Sequence, residues 1–222
     1  MKGTEMSWDS DLVGNVSDEL FWDPKVDNEA IAVSAKAGTV TLRGTVGGLR
    51  EKREAKKAAQ RVVGVLEVDN QLKVRLMGGD GRMDADIRGD VLQALMLDSL
   101  VPSAVDAKVL GGVVTLTGTV DWQYERDEAE FVASNIVGAL DVLDEIEIKN
   151  PKPNSGDVQD SITNAFKRNA ALDAEGLQVS TDNGIVTVKG TVGSWAERDE
   201  AIGAAWSAPG VTAVRDDLTV TY

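Results

Sequence analysis

The chain contains no histidine and no cysteine. Without imidazole it has no ordinary general base near neutral pH, and without thiols it has no sulfur nucleophile, no disulfide and few of the usual zinc or iron ligands. Carboxylates, hydroxyls, lysines and two tyrosines are what remains for chemistry. We therefore expect no enzyme, no catalytic residue, no resident metal and no cofactor. Long apolar runs are also missing, and nothing approaches the roughly 18 residues of a membrane-spanning helix. The opening MKGTEMSWDSDL has one lysine, early acids and no hydrophobic stretch. It is unlike a secretory leader, so the expected compartment is the cytoplasm, or the periplasm if a leader has been removed. Positive charge is scarce, with 23 Lys and Arg against 37 Asp and Glu, a net of −14. Such a chain is repelled by phosphate backbones, which argues against nucleic acid as its partner.

What the sequence does have is repetition. The phrase GTVTLRGTV begins at Gly38, GVVTLTGTV at Gly112 and GIVTVKGTV at Gly184, offsets of 74 and 72 residues. Five residues after each comes a second shared phrase: EKREA from Glu51, then ERDEA from Glu125 and from Glu197. A period this long is too great for a solenoid unit and suits a small domain. The chain therefore reads as three modules, 1–78, 79–150 and 151–222. Their charges differ: 12 basic against 12 acidic residues, then 5 against 15, then 6 against 10.

Each module opens with apolar residues at i, i+4 and i+8, the stripe of an amphipathic helix: Leu12, Val16 and Leu20; Ile87, Val91 and Leu95; Val158, Ile162 and Phe166. Asp9, Asp84 and Ser155 stand just upstream as expected N-caps. A short alternating strand follows, then a turn at Ala37-Gly38, Gly111-Gly112 or Asn183-Gly184, of which the last two suit the positive φ angles of a two-residue hairpin. The repeated phrase is the second strand. Gly44, Gly118 and Gly190 fall on its apolar face, where a glycine implies a close neighbour. The second helix is the expected neighbour, with small inner residues Ala55 and Ala59, Ala129 and Ala133, Ala201 and Ala205. Gly64, Gly138 and Gly210 read as C-caps of that helix, ahead of a final alternating strand. The order is α-β-β-α-β, and the strands flanking the second helix should run parallel. The expected fold class is α+β: three tandem αββαβ modules, each a three-stranded mixed sheet with two helices on one face. Linkers are expected over 77–83 and 150–156.

This order, with its central G-x-V-T-[LV]-x-G-T-V strand, resembles the BON domain, and the resemblance spans the whole chain. It implies a non-catalytic binding protein associated with osmotic or envelope stress and with attachment to phospholipid surfaces; some cytoplasmic members of the family are linked to potassium. Many members are periplasmic or lipoproteins, whereas this sequence shows neither a leader nor a lipobox cysteine.

Candidate sites come from comparing the outward stripe of the second helix between modules. In the first it is Arg50, Arg53, Lys57 and Arg61, a narrow basic arc. The partner expected for it is an anionic phospholipid surface, another protein, or the acidic second module of the same chain. The aligned stripe of the second module includes Tyr124 and Phe131, read as contacts between modules or with a partner. In the third module it is Ala196, Asp199, Gly203 and Ser207, a bland surface. The acids of EKREA and ERDEA, Glu51/Glu54, Glu125/Glu128 and Glu197/Glu200, read as a solvated helix face favoured by the helix dipole. Trp122 and Trp195 read as packing over the start of the same helix. Two further functions stay open: a cytoplasmic potassium- or calcium-responsive protein that compacts when its acids are neutralised, and an adaptor that joins other proteins.

Overall fold

The computed structural model describes residues 2–75, 82–149 and 155–222, which leaves most of both expected linkers outside the described residues. The first repeat runs α1 (Lys2–Trp22), β1 (Ile31–Lys36), β2 (Thr39–Val46), α2 (Leu49–Gln60) and β3 (Glu67–Val74). The second runs α3 (Asp84–Leu97), β4 (Asp106–Leu110), β5 (Val113–Val120), α4 (Gln123–Ser134) and β6 (Asp141–Ile148). The third runs α5 (Ser155–Arg168), β7 (Leu177–Asp182), β8 (Ile185–Val192), α6 (Trp195–Trp206) and β9 (Ala213–Val220). Three separate sheets result, ordered β1-β2-β3, β4-β5-β6 and β7-β8-β9. In the first, β1 pairs antiparallel with β2 from Ile31↔Gly44 to Lys36↔Thr39, and β2 pairs parallel with β3 from Thr39↔Glu67 to Val46↔Val74. The third sheet repeats both relations, with Leu177↔Gly190 and Ile185↔Ala213 at corresponding places. Each parallel pair is joined through a helix, because a tight turn cannot return a chain to the same direction.

The apolar stripes form the cores. Leu12, Val16 and Leu20 of α1 are buried with Val40, Leu42, Val46, Ala55, Ala58, Ala59, Val65 and Leu72. Val158, Ile162 and Phe166 of α5 are buried with Val186, Val188, Val192, Ala201 and Ala205. Ile87, Val91 and Leu95 of α3 are equally buried. Helices of period 3.6 and strands of period two thus place equivalent positions inside in every repeat. Close packing groups the chain into two compact units. One comprises Met1–Ala94, Ala107–Thr115 and Phe131–Leu143; the other comprises Leu95–Asp106, Leu116–Glu130 and Asp144–Tyr222.

Several local expectations are corrected. Asp9 is no N-cap, since α1 already begins at Lys2. Its Oδ1 instead accepts the Ala37 N–H at 3.0 Å. Asp84, the first residue of α3, accepts the N–H groups of Gly111 and Gly112 at 2.7 and 2.9 Å. These acids fasten the hairpin tip to the first helix. The Ser155 side chain lies outside what the structure describes. All three hairpins use two consecutive residues with positive φ, including Ala37 at φ +51 and Asn183 at +48.

Gly44, Gly118 and Gly190 are structural, but not because a helix approaches them. A Cβ at these positions would collide with the carbonyl oxygens of Ala30, Ala104 and Gly176, the residues leading into the neighbouring strand of the same sheet, and each glycine has φ between +134° and +141°. The carbonyl sits where parity alone would have put the helix. Gly64 is not a C-cap either: α2 ends at Gln60 with Arg61 as its cap, and Gly64 closes the turn that follows, beneath the ring of Trp8.

Candidate binding surfaces

The first glutamate of each repeated phrase is a clamp rather than a solvated acid. Glu51 accepts the N–H groups of Asp27 and Gly47, both at 2.8 Å. Glu125 accepts those of Asp121 and Trp122, and Glu197 those of Asp173 and Gly193. Each carboxylate thus satisfies a backbone donor of the tight strand-to-helix turn, and in the first and third repeats it also ties that turn to the segment ahead of the first strand. Glu54 is nearly buried and bonds Lys25 Nζ at 2.9 Å. The following cation ties helix to sheet: Arg126 pairs with Asp144, and Arg198 with Asp216 at 2.8 Å. In the first repeat, where Lys52 and Asn70 hold these places, Asn70 Nδ2 donates to the Lys52 carbonyl at 2.8 Å.

The basic stripe of α2 is largely engaged by this chain. The Arg50 guanidinium lies 5.7 Å from the centroid of the Phe131 ring. Arg53 Nη1 donates to Ser134 Oγ at 2.9 Å, and that buried hydroxyl in turn donates to the Phe131 carbonyl at 2.8 Å. Arg61 donates to Glu19 Oε1 and to Asp23 Oδ2, both at 2.7 Å. The hydrogen bond from Arg61 and the Lys25 backbone N–H hold the Asp23 carboxyl below the usual range, and Asp23 raises Arg61 in return. Lys57, by contrast, is exposed. Beside Arg50, the loop Gly47–Leu49 and residues Ser134–Ala139 bound a groove of about 210 Å³. Phe131 keeps 43% of its surface exposed and Tyr124 54%. Tyr124 borders a second, aromatic cleft. Trp195 packs its ring 4.6 Å from the Arg198 guanidinium.

Sequence reasoning passed over one exposed pair. Phe21 and Trp22, the last residues of α1, are 65% and 77% exposed and meet edge to face at 5.5 Å between centroids. The signal was there: once Leu20 faces the core, the next two positions are turned 100° and 200° away from it. They adjoin Asp23, which holds Arg61 at the C-terminal end of the α2 stripe. Among the described residues, no group of three or more carboxylates is placed to hold a metal ion, and no helix is long and apolar enough to cross a membrane.

The BON domain model matches residues 9–75, 83–150 and 154–222. The chain therefore belongs to the BON domain family, in three tandem copies. It is similar to osmotically-inducible protein Y of Escherichia coli (strain K12), 32% identical over 145 residues that make up 61% of this chain and 71% of that protein. Among solved structures it aligns with CdsD, a structural protein of the type III secretion system of Chlamydia trachomatis, and with the C-terminal domain of CdsD. Both are 13% identical with a TM-score of 0.27, covering 95% and 96% of this chain and 92% and 98% of those chains.

Proposed function

We propose that this is a non-enzymatic binding protein of osmotic stress whose first module, residues 1–78, docks on an anionic phospholipid surface. The stress role rests on family membership and on the similarity to an osmotically inducible protein. The docking role is carried by one observation: the exposed Phe21–Trp22 pair stands at the end of α1, beside the end of α2 that carries Lys57 and Arg61. Aromatic rings next to lysine and arginine are the pairing that suits a headgroup boundary, where rings enter the apolar edge and cations meet phosphate. Arg50, Arg53 and Arg61 already have partners within the chain, so Lys57 and the aromatic pair carry most of the contact. The more acidic modules, 79–150 and 151–222, are repelled by such a surface and add nothing to the contact.

Flotation of the full chain with vesicles of phosphatidylglycerol and phosphatidylethanolamine tests this. Binding at low salt that falls with added salt is expected, with Trp22→Ser and Lys57→Glu each weakening it. No flotation at low salt, or flotation unaffected by both substitutions, would refute the docking role.

A further inference from the structure

A cleft of about 260 Å³ opens between the start of α4 and the end of α6, lined by Trp122, Gln123, Tyr124, Asp127, Gly203, Trp206 and Ser207. From this lining we infer that the cleft is a binding site for a small methylated ammonium cation, a function separate from membrane docking by the first module.

Three of the seven lining residues are aromatic, and one is a carboxylate. Ring faces carry partial negative charge and attract a cation held within about 6 Å of the ring centre, most strongly when it is weakly hydrated. The surrounding charge agrees, since residues 79–150 carry 15 acids against 5 bases. A volume just under the roughly 300 Å³ at which drug-sized pockets begin suits a ligand of a few heavy atoms.

The polar groups narrow the choice further. Gln123 Nε2 donates to Asp127 Oδ1 at 2.7 Å, while Gln123 Oε1 is buried with no hydrogen-bond partner. Ser207 Oγ donates to the Gly203 carbonyl at 2.8 Å. A primary ammonium carries three N–H groups that water holds strongly, and ring faces offset their removal from water poorly. A trimethylammonium group has no N–H to satisfy and is stabilised by rings and net charge alone. The unpartnered Gln123 Oε1 then suits a hydroxyl donor carried by the same ligand, as in choline.

The room for this ligand comes from the divergence of the repeats. Gly203 holds the stripe position occupied by Lys57 in the first module and by Phe131 in the second. A Cβ there meets nothing within 4 Å, so the glycine is not demanded by packing, and in the middle of a helix it is unfavourable. As part of the lining, it leaves space that a side chain as long as Lys57 or Phe131 would take up.

Calorimetric titration of the full chain with tetramethylammonium chloride, against sodium chloride at matched ionic strength, tests the site. Saturable binding at one site is expected, with ammonium chloride binding at least roughly tenfold more weakly. Trp206→Ala and Gly203→Leu should each weaken binding roughly tenfold or more, with a thermal melt confirming that each variant is folded, while Lys57→Glu leaves it unchanged. Tetramethylammonium heats indistinguishable from sodium, or full binding by both cleft variants, would overturn the proposal. Free choline and phosphatidylcholine vesicles separate the two sources of this headgroup. Choline binding without flotation assigns a soluble ligand, and flotation lost in Gly203→Leu assigns a lipid.

Discussion

Ala37 occupies the first position of a hairpin turn at φ +51, where the equivalent residues are Gly111 and Asn183. Left-handed backbone costs an alanine about 1–2 kcal/mol, partly offset by the extra chain entropy a glycine loses on folding. Ala37→Gly should therefore stabilise the first repeat by about 0.5–1 kcal/mol in a urea titration. Gly44 lies at the other extreme. An added methyl would meet the Ala30 carbonyl, which belongs to the backbone and cannot swing aside. Gly44→Ala should cost more than about 3 kcal/mol and is expected to unfold the first repeat. Asp23 gives a pH signature. Its carboxyl titrates below its unfolded value in the folded state, so its contribution is complete above about pH 4 and disappears as pH falls through the folded value. At pH 7, Asp23→Asn should cost about 1–3 kcal/mol, and the difference from the parent protein should shrink steadily below pH 4 in denaturant titrations.

At the scale of elements, the amphipathic stripes and strand parities were legible because each is a local period read against one core. Leu12, Val16 and Leu20 needed no knowledge of what lay opposite them. The position of Gly44 was equally legible and its reason was not, because parity gives the face and cannot tell whether a helix or a neighbouring carbonyl fills it. Asp9 was misread for a related reason: a helix that extends past its apolar stripe carries no internal mark of its start. The aromatic cleft was least accessible, since Gln123 and Trp206 are 83 positions apart in the sequence and nothing local links them. The clamp glutamates yield a direct test. Glu125→Ala leaves the N–H groups of Asp121 and Trp122 without their acceptor and should cost about 1–3 kcal/mol. Because both donors belong to the turn entering α4, amide exchange should quicken there before it does elsewhere in the second repeat.

For the whole molecule, charge is the property least evenly distributed. The second repeat carries ten more acids than bases, and the first carries equal numbers. Self-repulsion of that size is relieved once ions shorten its range to about 10 Å at 0.1 M salt. Raising sodium chloride from 10 to 150 mM should lift the melting temperature, with the gain largest for signals from the second repeat. Potassium chloride should act identically if screening alone is responsible, and a larger potassium effect would point to a specific ion.

The sheet order has a consequence for solubility. Every three-stranded sheet has two outer strands, and three such sheets give six among the described residues. An outer strand offers unpaired backbone groups to any other extended chain. In β6 that strand reads DVLDEIEI, where four carboxylates sit among four aliphatic side chains. While ionised they make stacking of one copy on another unfavourable. Replacing Asp141, Glu145 and Glu147 by their neutral amides would therefore open β6 to edge-to-edge association between copies, seen as growth of light scattering with protein concentration.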